Sequence, residues 1–245
     1  MASSNGTISI FDITSPDCKL KTSFQAHDGA VWKVDFSHPQ FGCLLLSCGF
    51  DKKVFLWREI NNSFDKVFEY NEHTNSVTCA SFSQNSTSIL LFASGSLDGY
   101  IGLHQYKNDT FYSEKIKAHD FGVNSISFSK VNPFTFVSCG NDNLIKIWNY
   151  STENGDWVPD TLDEVESITK DVAFREKDVN DSFASCSEEG TVSYWTKQGG
   201  KWSRKEFALT TLPLVKLSWN DNGNILIAVA SDGKEYMINE EQLGN

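Results

Sequence analysis

A chain of 245 residues, 40% of them hydrophobic, can bury a substantial core, and all-β folds of this length are often one domain, so a single domain over 1–245 is expected. Against 32 Asp+Glu stand 21 Lys+Arg, a formal charge of -11, and no basic cluster supplies a phosphate-backbone footprint, which argues against direct nucleic-acid binding. Met1 to Gly6 has neither a basic nor an apolar leader region, and apolar runs such as Ile225 to Ala230 are too short to cross a bilayer, so a soluble protein outside the secretory lumen is expected.

In chain order, Thr7-Ile8-Ser9-Ile10-Phe11 and Leu20 to Phe24 read as short strands. They match the third and outer fourth strands of a four-stranded unit whose inner two strands have no counterpart here. A complete unit then runs from Val31 through Trp57 to an outer strand near Phe64 to Glu69, and another from Val77 through Tyr106 to about Lys117. The fullest copy is His119 to Trp148. Val123 to Phe128 alternates apolar and polar, Phe134 to Cys139 is largely apolar, Gly140 to Asn143 are turn formers, and Leu144 to Trp148 alternates again, with an outer strand near Trp157 to Leu162. A fifth unit covers Ile168 to Thr196 with an outer strand near Lys201 to Phe207, and a sixth covers Leu214 to Asn239. Too few residues follow Asn239 for a further strand and a return to the first unit, so ring closure by the chain's own strands is not expected.

The units keep a strict register. An acidic or amide residue in the tight turn is followed six positions later by an aromatic or apolar one: Asn5/Phe11, Asp51/Trp57, Asp98/His104, Asp142/Trp148, Glu189/Trp195 and Asp232/Ile238. Ser47, Ser94, Ser138 and Ser185 each lie four residues before the turn acid, and His27, His73 and His119 open three units. A period in the mid-forties with four strands per unit predicts an all-β, WD-repeat β-propeller, here an open six-bladed ring with an incomplete first blade. The blades fall at about 7–24 (partial), 31–69, 77–117, 123–162, 168–207 and 214–239. Each unit has one amphipathic sheet that cannot bury both faces alone, so neighbouring blades must pack face to face.

Several groupings imitate chemistry. His119, Ser138 and Asp142 contain the ingredients of a Ser-His-Asp triad, but with Trp148 they recur as His27, Ser47, Asp51 and Trp57. An enzyme needs one nucleophile with an oxyanion hole, and a set repeated blade after blade is more simply a hydrogen-bond ladder. No phosphate loop or HExxH pair is present, so no catalytic, cofactor or metal site and no small-molecule substrate is expected. Cys48, Cys139 and Cys186 each follow a serine at one place in the repeat, and Cys18, Cys43 and Cys79 form no CxxC pair, which reads as buried thiols in a reducing compartment. Phe36, Phe82, Phe128, Phe174 and Trp219 each end an innermost strand and read as packing between blades. His104 and Glu189 depart from the repeat and read as drift. The acidic stretch Asn149 to Glu166 reads as a solvated connection, with a partner-facing patch as the alternative. The sequon Asn85-Ser86-Thr87 carries no weight without a secretory signal.

The runs His27 to Val34, Ser37-His38-Pro39-Gln40-Phe41-Gly42, and Ser47 to Glu59 closely resemble the second blade of the Sec-thirteen family. Cys139 to Trp148, Phe183 to Ser187, and Leu217-Ser218-Trp219 with Asn224-Ile225-Leu226 also match it, so the resemblance covers nearly the whole chain. These small propellers are shared by the COPII vesicle outer coat and the Y-shaped scaffold of the nuclear pore. The resemblance implies an open propeller without catalysis, cytoplasmic, touching membranes only through the coat. An α-solenoid partner would insert a strand-rich segment as a further blade. The receiving edges would be Thr7, Ile8, Ser9, Ile10 and Phe11, and Glu235, Tyr236 and Met237 in the sixth blade. Two departures stand out. The family has two strands before the segment matched by Asn5 to Phe11, so the coding sequence starts further upstream or a reduced lineage has lost half a blade, and the family's longer insertion in blade four is absent at Ser129 to Pro133. The alternatives are a generic WD adaptor binding peptides on its top face and a propeller hydrolase.

Overall fold

The computed structural model describes residues 1–14, 17–84, 89–162, 165–178 and 181–244. The sequon at 85–87 and the acids Asp163 and Glu164 lie outside the described residues. The chain divides into two compact units, Met1–Phe82 with Ser86–Lys117, and Ser83–Asn85 with Ala118–Asn245.

Among the described residues, six antiparallel sheets are formed in chain order. The first unit holds sheet one, β1 (Thr7–Asp12) and β2 (Lys19–Gln25); sheet two, β3 (Val31–Phe36), β4 (Leu44–Gly49), β5 (Val54–Ile60) and β6 (Ser63–Tyr70); and sheet three, β7 (Val77–Phe82), β8 (Leu90–Ser96), β9 (Tyr100–Lys107) and β10 (Thr110–Lys117). The second unit holds sheet four, β11 (Val123–Phe128), β12 (Thr135–Gly140), β13 (Ile145–Ser151) and β14 (Asp156–Thr161); sheet five, β15 (Thr169–Phe174), β16 (Phe183–Ser187), β17 (Thr191–Gln198) and β18 (Lys201–Ala208); and sheet six, β19 (Leu214–Trp219), β20 (Ile225–Ala230) and β21 (Glu235–Asn239). Within every sheet the strands pair in sequence order. A short helix, α1 (Glu240–Gly244), follows β21 where a fourth strand would stand.

Local chemistry explains the pattern. The residue after each turn acid or amide takes a positive φ: Gly6, Lys52, Gly99, Asn143, Gly190 and Gly233. Four of these six are glycine, which enters that region without the Cβ penalty. Three outer hairpins close through two-residue loops with both φ positive, Asn61-Asn62, Asn108-Asp109 and Gly199-Gly200, whose twist matches the flanking strands. Every inner strand carries a register shift against its neighbour, between Val31/Lys33, Val77/Cys79, Val123/Ser125, Thr169/Asp171 and Leu214/Lys216. The skipped residue turns outward at two of these bulges, leaving Trp32 55% and Val215 45% exposed.

The core consists of apolar layers between adjoining sheets. β4 is buried along its whole length because both faces are covered: Leu45 joins Ile8, Phe55 and Trp57 on one side, while Leu44 and Leu46 join Val77, Phe82 and Phe92 on the other. In the second unit Val137, Ile147, Phe174 and Phe183 fill the layer between sheets four and five, and Leu217, Trp219, Leu226 and Ile238 the layer between sheets five and six.

Polar staples cross the same layers. Asp35 accepts Phe82 N–H at 2.9 Å, and Ser127 accepts Phe174 N–H at 3.0 Å. The buried Asp171 accepts Ser125 O–H at 2.6 Å and Leu217 N–H at 2.8 Å, tying sheet five to both its neighbours.

Two expectations are corrected. Phe82, Phe128, Phe174 and Trp219 are buried, but Phe36 is 45% exposed, since among the described residues sheet one has only β1 and β2 and no inner strand to lie over it. Four thiols are buried, but Cys18 and Cys43 are exposed because they sit in loops before β2 and β4.

Candidate functional site

The repeated His, Ser, Asp and Trp residues converge within their own sheets. In sheet four Trp148 Nε1 lies 2.9 Å from Ser138 Oγ, which lies 2.8 Å from His119 Nε2, and His119 Nδ1 lies 2.8 Å from Asp142. In sheet two Trp57, Ser47, His27 and Asp51 repeat the chain at 2.9, 2.8 and 2.9 Å. The direction of each bond follows from the donors. An indole N–H can only donate, so the serine oxygen accepts it and sends its own proton to the imidazole Nε2. That nitrogen must be bare, which places the ring's proton on Nδ1, where it is donated to the carboxylate.

Electrostatics agree with this assignment. Burial holds His27, His73 and His119 below the usual histidine range, against the pull of the neighbouring carboxylates. Burial alone would raise Asp98 and Asp142. The backbone N–H groups of Thr74 and Tyr100, with His73, outweigh it and bring Asp98 down to about 2, while His119 and backbone donors lower Asp142. The turn is fixed by the same acids: Asp51 accepts Asp28 and Lys53 N–H, and Asp142 accepts Asp120 and Leu144 N–H.

Sheet three holds a further set that was legible from its spacing, with His73 Nδ1 3.2 Å from Asp98 and His73 Nε2 3.0 Å from Ser94 Oγ. His104 takes the place of the indole. It is fully buried, its Nε2 lies 3.1 Å from Ser94 Oγ and its Nδ1 2.9 Å from Ser113 Oγ. Since Ser94 has one proton, already given to His73, His104 carries its proton on Nε2 and donates as tryptophan does elsewhere. Burial pushes its pKa down to about 3. In sheet five, among the described residues, only Trp195 to Ser185, 2.9 Å, remains of the set. Val165 lies four residues before the inner strand, where histidine stands in sheets two to four, Glu189 is exposed, and a cavity of about 30 Å³ lies beside Ser185 and Ser187.

Chemically these sets hold rather than react. Ser47 and Ser138 are fully buried, and in each the hydroxyl proton and a lone pair are committed to ring nitrogens, which leaves no accessible nucleophile.

The terminal sheets differ from the others at their edges. On β1, Ile8 is buried, Thr7, Ser9 and Ile10 are half-buried and Phe11 is 36% exposed. Its edge, expected to be unpaired, is occupied: Ala2 bridges Ile8, Ser9 N–H donates to Met1 C=O at 2.9 Å, and Ser3 N–H donates to Thr7 C=O at 3.1 Å. Ser3 C=O in turn accepts Val31 N–H at 3.0 Å, tying this segment to sheet two. On β21, Glu235 and Met237 are exposed, the latter 70%, and Tyr236 is half-buried. β21 pairs with β20 on one side, and among the described residues no strand pairs with the other.

Comparison with known proteins agrees with this architecture. The WD domain, G-beta repeat, matches residues 18–58, 64–104 and 112–149. "Protein transport protein sec13" of Aspergillus clavatus is 33% identical, covering 99% of this chain and 91% of that protein. The protein of the same name in Aspergillus fumigatus is 33% identical over 99% and 88%, and "Protein transport protein SEC13" of Yarrowia lipolytica 32% over 99% and 88%. A repeat of four-stranded sheets, each turned by an acid and three tied by a buried serine to a histidine, together with likeness along nearly the whole length of these relatives, places the chain in the Sec-thirteen family of WD-repeat β-propellers.

Proposed function

We propose that this protein is a non-enzymatic scaffold subunit of a membrane coat: the COPII outer coat of ER-to-Golgi transport, the nuclear-pore Y-complex, or both. It takes the open six-bladed form of its family on the cytoplasmic side and meets membranes only through the coat. An α-solenoid subunit supplies a strand-rich segment to the free β21 edge of sheet six, and the added backbone bonds fix the geometry of the rod. The names of the relatives, protein transport proteins, support the role. The observation that carries the mechanism is the three-stranded sheet six, whose β21 offers an exposed edge at Glu235 and Met237.

The test is co-purification of the chain with the α-solenoid outer-coat subunit of the same cells. Met237→Pro removes an N–H that plays no part in the β20 pairing and so blocks strand addition selectively. A stoichiometric complex, weakened at least tenfold by this substitution, is expected. Full binding by the variant would refute the edge mechanism, and no complex with the parent chain would refute the role.

One observation favours a second reading, peptide binding by a WD adaptor. Trp32 and Leu97, 55% and 40% exposed, both bond Ser76, and Phe50, 60% exposed, bonds Ala30, two residues before Trp32. Phe50→Ala would then weaken peptide capture and leave coat assembly unchanged.

A further inference from the structure

The β21 edge carries a device of its own. Glu240 N–H donates to Asn224 C=O at 3.0 Å and Ala230 N–H to Lys234 C=O at 2.9 Å. Antiparallel pairing alternates, so Tyr236 and Ile238 turn their backbone groups to β20, and Glu235, Met237 and Asn239 turn theirs to the free edge. The outward N–H of Asn239 donates to the side chain of Gln242, 2.9 Å to Oε1. Helix α1 thus folds back to occupy the end of the edge with a side-chain amide in place of a neighbouring strand.

Three anchors hold α1 there. Leu243, 4% exposed, is packed in the layer between sheets five and six with Leu226, Ile238 and Tyr236. Lys205 Nζ on β18 donates to Gln242 C=O at 3.2 Å. The Arg175 guanidinium pairs with Glu240 and is itself fixed by Gly223 C=O at 2.5 Å and Tyr194 OH at 3.1 Å. Five residues are too few to form a stable helix alone, so α1 exists only through these contacts and belongs to the weakly held part of the fold. Unpaired strand edges are templates for unwanted pairing, and a chain that must keep one available has reason to cover it reversibly.

We infer that α1 is a displaceable cap on the β21 edge: a partner strand pairing beyond Met237 must take the Asn239 N–H from Gln242 and release α1. The inference rests on the strand-addition reading above and adds to it a competition inside this chain. The fraction of molecules with α1 released sets the apparent affinity for the partner strand.

The experiment uses the full chain and its co-expressed α-solenoid outer-coat subunit. Gln242 is exposed, so Gln242→Ala removes the competing acceptor without threatening the core. Loss of one hydrogen bond of ordinary net strength predicts binding about fivefold tighter. Amide exchange at Asn239 in the free chain should rise by a similar factor, and in the parent complex Leu243 should lose protection while Met237 and Asn239 gain it. Leu243→Ala, which loosens the main anchor, should tighten binding further. Equal binding by parent and Gln242→Ala, with α1 still protected in the complex, overturns the cap and leaves the coat role standing. Weaker binding by Gln242→Ala also overturns it, because α1 would then be part of the interface. Failure of either protein to bind overturns the coat role and the cap together.

Discussion

Ser138→Ala tests the hydrogen-bond sets where they are most complete. The substitution removes one oxygen and leaves two buried ring groups without partners, the Trp148 indole N–H and the His119 Nε2, on residues 3% and 1% exposed. A buried polar group stripped of its partner costs about 1–3 kcal/mol, so the loss for two should be about 2–6 kcal/mol. That is a large part of the roughly 5–15 kcal/mol that keeps an ordinary domain folded. Urea unfolding at pH 7.5, followed by tryptophan fluorescence, should show the midpoint fall by about 1 M or more. The exposed Ser203→Ala, which loses only surface bonds to Thr196, should stay within about 0.5 kcal/mol of the parent. Adding Trp148→Phe to Ser138→Ala removes one of the orphaned groups, so the pair should be less costly than the sum of the two single changes. A Ser138→Ala loss below about 0.5 kcal/mol, or strictly additive changes in the double variant, would refute the assignment of these residues to a structural chain.

Stability should depend on acid with a defined sign. His27, His73, His104 and His119 are held below their usual range, His104 at about 3, so from about pH 6.5 downward the unfolded chain takes up protons that the folded one refuses. Stability is then full above about pH 7 and falls as the pH drops below 6.5. The lowered carboxyls of Asp98 and Asp142 add a further loss below about pH 4; a flat profile between pH 7 and 5 in urea titrations would contradict this. Lys52 holds a left-handed φ of 68° in a turn where Gly99, Gly190 and Gly233 serve elsewhere, so Lys52→Gly should stabilise by about 0.5–1 kcal/mol, read as a rise in thermal midpoint. A thiol reagent should label two of the six cysteines in the folded chain, Cys18 first and Cys43 more slowly because burial and the Glu59 carboxylate raise its thiol to about 11. The other four should react only on unfolding.

Much of this architecture is legible in the residues. Asp142 and Trp148, six apart and repeated with Ser138 four residues before the acid, specify a turn, two strands and a bond across them, and a period repeated six times specifies the sheets. What stayed hidden depends on the neighbouring sheet or on backbone geometry. Phe36 looks like Phe82 in sequence, but its exposure is decided by which strands lie over it. The bulges that turn Trp32 and Val215 outward break the two-residue alternation without a residue type that marks them. His104 reads as drift until its ring is seen at 3.1 Å from Ser94, where an imidazole N–H does the work of an indole. The pairing of Met1–Ser3 with β1 and the return of Gln242 to Asn239 come from segments too short to show any periodicity.

The central claim is that a partner's strand pairs with the free edge of sheet six. Amide hydrogen exchange of Met237, whose N–H points away from β20, tests it in the purified complex with the α-solenoid coat subunit. Strand addition predicts that Met237, fast-exchanging in the free chain, slows by at least tenfold in the complex while Tyr236 and Ile238, already bonded to β20, change little. A Met237 amide that exchanges equally fast in a stoichiometric complex would contradict it.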